Sequence, residues 1–389
     1  MPKTKETLAD WPPSIANWVA FENKEPWLAT DEFPFFTDAW ITGETEAGPY
    51  LFMNTVAFKP GTARPAIVLR YAMHKEFEYP DFQKTNAKLY HGGSPQQELA
   101  ALASLAMGIR LRAGRSTRRF EPKSDPLGRP TELGDRTIPY LHSPDSHNLP
   151  SAAEGQHPLA ALDVLNCLPK MSRTEASTIV RAARLYQDAL WLAESEPELT
   201  WLLLVSALET AANEWQKKKG DKIARLQDSK PELYKYLVSL KDDSILSRVA
   251  EYIADSLGIT RKFVSFVLRF LPDPPEQRPP EWAQFKWEPD QLEKALKTIY
   301  GYRSEALHDG RPFPRPMCKA PRLDSSWQAP AEKMIAEATS ERGGVWLKDD
   351  IPMNLHLFEY IARNVLLKWW KESAHENHSK ATDNTQSSI

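Results

Sequence analysis

Cysteine is nearly missing: Cys167 and Cys318 are the two thiols in 389 residues. They stand far apart with no CxxC, which excludes a disulfide framework and a thiolate zinc site and predicts two buried free thiols. Long apolar runs are missing too. No stretch approaches the ~20 apolar residues of a membrane-spanning helix, and the N-terminus MPKTKETLADWPPS lacks the apolar core of a secretory signal. The expectation is a cytoplasmic protein with no membrane partner. An excess of charge of one sign is also absent. With 49 Lys and Arg against 52 Asp and Glu, the net charge of -3 excludes a generally basic nucleic-acid coat, so contact with RNA would have to come from a local patch. What remains is an ordinary composition, 41% hydrophobic and 26% charged, which excludes collagen, coiled coil and wholesale disorder. At ~100 to 200 residues per domain, the length suggests two or three units, of which we read two.

Proline divides the chain. Eighteen of the 32 prolines precede residue 172, whereas Pro197 and Pro231 alone fall between Ser172 and Leu271. Proline removes a backbone donor and clashes with the preceding helical turn, so a stretch that avoids it permits long helices. The fold class predicted is α+β: a mixed α/β module over 1–165, a helical bundle over 172–375 and a disordered tail over 376–389.

In the first part, FPFFTDAWITG (33–43), PYLFMNTVAF (49–58) and PAIVLRYAM (65–73) read as strands, separated by the turn compositions GETEAG and KPGTAR. Ser94, Pro95 and Gln97 form a capping box before a helix that places Leu99, Leu102, Leu105 and Ala106 on one face and stops near Gly108. From about 121 to 156 the chain shows no period and reads as an irregular strap.

The second part opens on SRTE at Ser172, another capping box, and Ile179, Ala183, Tyr186, Leu190 and Ala193 recur at helical steps. Pro197 opens a helix whose centre, WLLLVSAL, is apolar on every face and whose end carries Lys217, Lys218, Lys219 and Gly220. It should be central and buried. Shorter helices are predicted at about 231–240, 244–257 and 260–271, and LPDPPEQRPPEW forces a loop. A helix from Asp290 bears the stripe Leu292, Leu296, Ile299, Arg303 and Ala306 and ends at Asp309-Gly310. The last runs from about 354 to 372 with Phe358, Ile361, Ala362, Val365, Leu366 and Trp369 as its core band.

Familiar catalytic signatures fail: GxxxxGK[ST], GxGxxG, GxSxG and HExxH do not occur, and no histidine has the spacing and context of a metal ligand. No cofactor or metal is expected. The feature left is YGYRSEALHDGRPF, in which Arg303 and His308 form Arg-x4-His. A guanidinium on an apolar stripe is costly unless an anion or a carboxylate meets it. Two explanations stand side by side. Arg303 serves a phosphate, or it pairs with a buried acid such as Glu209 on the central helix while His308 caps the helix end. Glu209 itself, on an apolar helix, needs Arg303 or Asn213 as partner, in structural support or in catalysis.

The helix RAARLYQDALWLAESEPELTWLLLVSALETAANEW, a long middle and then YRSEALHDG resemble the HEPN superfamily, most closely its ApeA-like branch. The likeness spans about 172–375, and GSPQQELAALASLAMGIRLRAG is similar to the N-terminal modules of that branch. The resemblance implies a helical bundle that dimerises and cleaves RNA without metal, as an anti-phage or toxin effector with a phage-derived trigger or an antitoxin as further partner. It implies Arg303 and His308 as the catalytic pair, supported by Ser304, Glu209 and Asp309. Ser304 stands where many relatives have Asn, Asp or His, and Asp309 where some have glycine. The alternative is a catalytically silent dimer that binds a ligand or protein.

Elementary geometry bears on the same pair. Five residues advance ~500° along a helix, so Arg303 and His308 point ~140° apart and cannot easily grip one phosphate alone. A second copy across a two-fold axis would supply two arginines and two imidazoles to one cleft. The other feature of note is IRLRAGRSTRRF, where Arg110, Arg112, Arg115, Arg118 and Arg119 occur with no acid between them. RNA binding, contact with an acidic partner or with the bundle, and plain solvation are the three explanations.

Overall fold

The structure, a computed structural model, describes residues 11–55, 63–76, 83, 85, 90, 92–121, 125–131, 139–142, 146–217, 222–253 and 258–386. It is α+β, with most strands in the first part and most helices in the second. Strand β1 (Ala29–Thr37) is followed by β2 (Trp40–Thr42), β3 (Glu44–Ala47), β4 (Tyr50–Asn54) and β5 (Arg64–Met73). The segments β6 (Arg112–Ala113), β7 (Arg118–Glu121) and β8 (Asp125–Pro130) complete a sheet in the order β3-β4-β5-β1-β7-β8, with β6 also on β1. Its pairs are antiparallel. A register shift between Phe35 and Phe36 lets Phe35, Phe36 and Thr37 all be buried in succession, which simple alternation forbids. GETEAG, expected to be a turn, supplies β3, and the arginine-rich stretch supplies β6 and β7. In both, cross-strand pairing overrides polar composition.

Helix α1 (Pro13–Glu22), which the sequence did not announce, packs on α2 (Pro95–Met107). The start of α2 follows expectation in that Gln97 Oε1 accepts from the Ser94 amide at 3.1 Å. Its burial does not: every residue from Glu98 to Met107 is buried, because α1 and β6 meet it as well as the bundle. Gly108 ends it at φ 70°, and a Cβ there would lie 2.9 Å from the Arg363 Nε. The expected strap contains β8, and β9 (Gln156–Pro158), parallel to β2, begins at its expected end.

The bundle comprises α3 (Arg173–Leu192), α4 (Pro197–Lys217), α5 (Lys222–Ser229), α6 (Pro231–Ser239), α7 (Asp243–Ile253), α8 (Ile259–Arg269), α9 (Pro289–His308) and α10 (Leu355–Gln386). The capping box at Ser172 is present, the Glu175 carboxylate accepting from the Ser172 amide at 3.1 Å. Helix α4 is central: Trp201 is buried between the rings of Phe313 and Phe358, at 5.7 and 4.9 Å, and its indole N–H donates to the Met317 carbonyl. It is not buried all round, since Leu199 and Asn213 are exposed. Lys218, Lys219 and Gly220 lie outside the described residues. Between α9 and α10 a hairpin of β10 (Ala338–Glu341) and β11 (Gly344–Leu347) was not anticipated. The core band of α10 is buried as expected. The helix runs on to Gln386 where a disordered tail was expected from 376, there being no Pro or Gly to stop it.

The expected division at 165–172 does not separate two cores. Phe35, Leu69, Leu102, Ile179, Leu208 and Phe358 belong to one buried cluster. The boundary itself is a 3-10 segment, Leu159–Lys170, whose Leu159, Leu162, Leu165 and Leu168 are buried in it. Arg363 of α10 reaches across to donate to the carbonyls of Leu105 and Ala106, satisfying acceptors that the last turn of α2 leaves open.

Candidate active cleft

Helix α9 carries Pro289 at its first position and Asp290 in its first turn, and buries Leu292, Ala295, Leu296 and Ile299. Arg303 continues that stripe half-buried. Its Nη2 donates to Glu209 Oε2 at 2.7 Å, and Tyr300, one turn earlier, donates its hydroxyl to Glu209 Oε1 at 2.6 Å. The guanidinium also lies over the Tyr300 ring, 5.6 Å from its centroid. Glu209 is thus met by Arg303 and Tyr300, while Asn213 points outward into solvent. Burial, and after it the hydrogen bond to Glu209, pushes the Tyr300 hydroxyl above its ordinary value, so it stays a donor.

A guanidinium has five N–H donors, and the bond to Glu209 is the one that Arg303 makes among the described residues. Its Nε is buried with no partner. Nη2 of Arg303 is therefore fixed and Nε is enclosed, while the residue borders a cleft of about 850 Å³, lined by Arg303, Ser304, His308, Lys230, Arg261 and Lys297 among others. The cations come from the start of α6, from α8 and from α9. Glu293 also lines the cleft but is paired with Lys297 at 2.6 Å.

The ~140° between Arg303 and His308 acquires a meaning here. At ~100° per residue, Tyr300, Ser304 and Lys297 fall between them, so the pair marks the two edges of the face that the cleft covers. Ser304 sits mid-face. His308, the last helical residue, is exposed. Asp309 is outside the cleft lining: it is the exposed C-cap, its amide bonded to the Glu305 carbonyl, before Gly310 turns the chain at φ 64°.

The arginines of 110–119 are placed differently. Arg110 is fully buried, forked onto Asp38 at 2.6 and 3.2 Å and onto Glu194 at 3.1 Å, and is withdrawn from any RNA. Arg112 pairs with Asp188 at 2.7 Å beside the Trp191 ring, Arg119 pairs with Asp31 across the sheet at 3.0 Å, and Arg118 donates to the carbonyls of Leu127 and Gly128. Arg115 alone of the five is exposed and uncommitted among the described residues. The expected RNA-binding cluster thus contracts to Arg115, because acids distant in sequence hold Arg110, Arg112 and Arg119 and backbone carbonyls hold Arg118. Cys318 is buried as expected, its thiol pushed up to about 12 by burial, while Cys167 is half-buried.

The cleft residues that the sequence did not single out are Tyr300, Lys230, Arg261 and Lys297. Tyr300 carried a signal, an aromatic one turn before Arg303. The three cations carried none, being spread over separate helices.

Fold and cleft together define the class: an α+β protein with a cationic cleft on one helix of its bundle. No family model, no curated protein and no solved structure matches the chain.

Proposed function

We propose that the protein is an endoribonuclease of HEPN type that needs no metal for cleavage and acts as a homodimer. The observation that carries this is the joint lining of one cationic cleft by Arg303, Ser304 and His308. Cationic walls attract a phosphodiester, and a guanidinium bordering the cleft, as Arg303 does, suits the charge that builds on phosphorane oxygens. In the reaction, one imidazole takes the proton of the RNA 2'-hydroxyl as its oxygen bonds to phosphorus. A second imidazole protonates the 5'-oxygen as its bond to phosphorus breaks, leaving a 2',3'-cyclic phosphate and a 5'-hydroxyl. A protomer brings one His308 to the cleft, so the second comes from a partner across a two-fold axis. The exposure of Leu307, 52%, beside His308 supports an interface at this helix end. A role in bacterial anti-phage defence, with a phage-derived trigger or an antitoxin, follows from the resemblance alone.

A second reading is favoured by the Arg303–Glu209 pair. If that pair is purely structural, the protein is a catalytically silent dimer that binds a ligand or protein. Incubating the purified protein with total RNA in EDTA separates the two. Cleavage with cyclic phosphate ends, sparing 2'-deoxy substrates, is expected. Strict Mg²⁺ dependence, or equal cutting by His308→Ala, would refute the ribonuclease; a monomer at micromolar concentration with full activity would refute the composite site.

A further inference from the structure

The back of α9 faces a second, separate concavity. On the helical wheel Gln291, Lys294, Ala295 and Thr298 lie opposite the face that lines the Arg303 cleft. They border a cavity of about 250 Å³, and Lys333 stands in the wall between it and a neighbouring cavity of about 460 Å³ beside the β10–β11 hairpin. The larger one is within the ~300 to 1,000 Å³ of small-molecule sites.

Its lining combines two chemistries. Met334, Pro316 and Pro321 give apolar surface, and Trp346 gives an aromatic wall. The Trp346 indole lies against Gly344, where a Cβ would come within 2.5 Å of the ring, so any larger residue would displace it. Against these stand Arg315, Lys319, Arg322 and Lys333, with Glu341 as the carboxylate in the same lining. Glu341 is already shared by Arg315, at 3.3 Å, and Lys319. Arg322 rests over the Trp327 ring at 5.9 Å. Lys333 makes no ion pair among the described residues; its neighbour Glu332 is committed to Arg278 at 2.6 Å and to the Phe285 amide. Four cations therefore face one carboxylate. Burial, with Lys348 and Lys286 close by, lowers the Lys333 ammonium below its ordinary value. A half-buried ammonium with like-charged neighbours is a destabilising arrangement that an anion would relieve.

We propose that the cavity between the 315–322 segment and the β10–β11 hairpin binds a nucleoside phosphate, its phosphates on Lys333 and Arg322 and its base against Trp346. Planar rings suit the indole wall, and paired cations suit phosphate oxygens. The site is distinct from the ribonuclease cleft and does not depend on it.

Calorimetric titration of the full-length protein with ADP and UDP tests this. At least one of them should bind at a single site with micromolar affinity, and adenosine and uridine should bind at least about tenfold more weakly for want of phosphate. Lys333→Gln and Arg322→Gln should each weaken binding at least about tenfold with an unchanged melting curve, while Lys297→Gln in the other cleft leaves it intact. Should Lys333→Gln fail to fold, Arg322→Gln decides. The proposal is overturned if neither nucleotide binds at about 1 mM, if inorganic phosphate binds as well as either, or if Lys297→Gln rather than the Lys333 or Arg322 change abolishes binding.

Discussion

Two sets of cationic side chains are arranged in opposite ways. Those of 110–119 are dense in sequence and mostly spent in the fold: Arg110 holds Asp38 and Glu194 together, and Arg119 and Arg112 have carboxylates of their own. The cations of the α9 cleft are dispersed from Lys230 to Arg303 and border one open space, although Arg303 keeps Glu209 and Lys297 keeps Glu293. Local density of like charge along the chain is therefore a poor guide to free charge at the surface, because the acids that neutralise it come from anywhere. What matters is whether the opposing surface offers carboxylates or a void.

The largest effect that could break this contrast is at Arg110. Removing one partner of a buried ionic cluster leaves carboxylates unpaired, so Arg110→Ala should lower stability by about 3–5 kcal/mol in urea unfolding. A change of under about 0.5 kcal/mol, as for an ordinary surface site, would show that the cluster holds nothing together. Arg303→Ala should do the reverse. With Tyr300 still donating to Glu209, the fold should survive, while RNA cleavage falls at least about 10²-fold, roughly 2.7 kcal/mol of barrier. Loss of the melting transition with no change in specific activity of the folded fraction would place Arg303 among the structural arginines instead.

A buried acid sharpens the comparison from the other side. Glu98 is fully buried, and burial pushes its carboxyl up to about 8, against the opposing hydrogen bonds from the Ser14 amide at 2.8 Å and hydroxyl at 2.5 Å. Between the ordinary carboxylate range and about 8, the folded state keeps a proton that the unfolded state has lost. Stability should fall with rising pH across that window, by up to about 1.4 kcal/mol per pH unit, and level off above it. Unfolding of Glu98→Gln should lack that slope. If wild type and variant share one pH profile, Glu98 is ionised in the core and a cation must be neutralising it.

How much of this was legible follows from range. The capping boxes at Ser94 and Ser172 and the core band of α10 were readable because their partners lie within four residues. The pairing of Arg303 with Glu209 was one of two explanations open from sequence, since an apolar stripe announces that a charge needs a partner but not which. The buried role of Arg110 was hidden, as Asp38 and Glu194 are 72 and 84 positions away. The β10–β11 hairpin escapes a sequence reading because its strands, ATSE and GVWL, are four residues each and do not alternate apolar with polar residues. The α10 extension escapes for the opposite reason: polar composition suggests disorder although nothing in it breaks a helix.

The smallest effect concerns Arg115, the remnant of the sequence-dense cluster. A cation that tracks a single-stranded backbone contributes about 0.7 to the slope of log affinity against log salt. Had all five arginines met RNA, replacing three of them would have flattened the slope by about 2. With Arg118 on backbone carbonyls and Arg119 on Asp31, Arg115→Gln should remove at most about 0.7, and Arg119→Gln close to nothing beyond its effect on the sheet. Filter binding of single-stranded RNA at several salt concentrations measures both. A slope loss near 0.7 in Arg119→Gln would mean that RNA outcompetes Asp31, and the ion pairs of the 110–119 stretch would then be a resting arrangement that substrate dissolves.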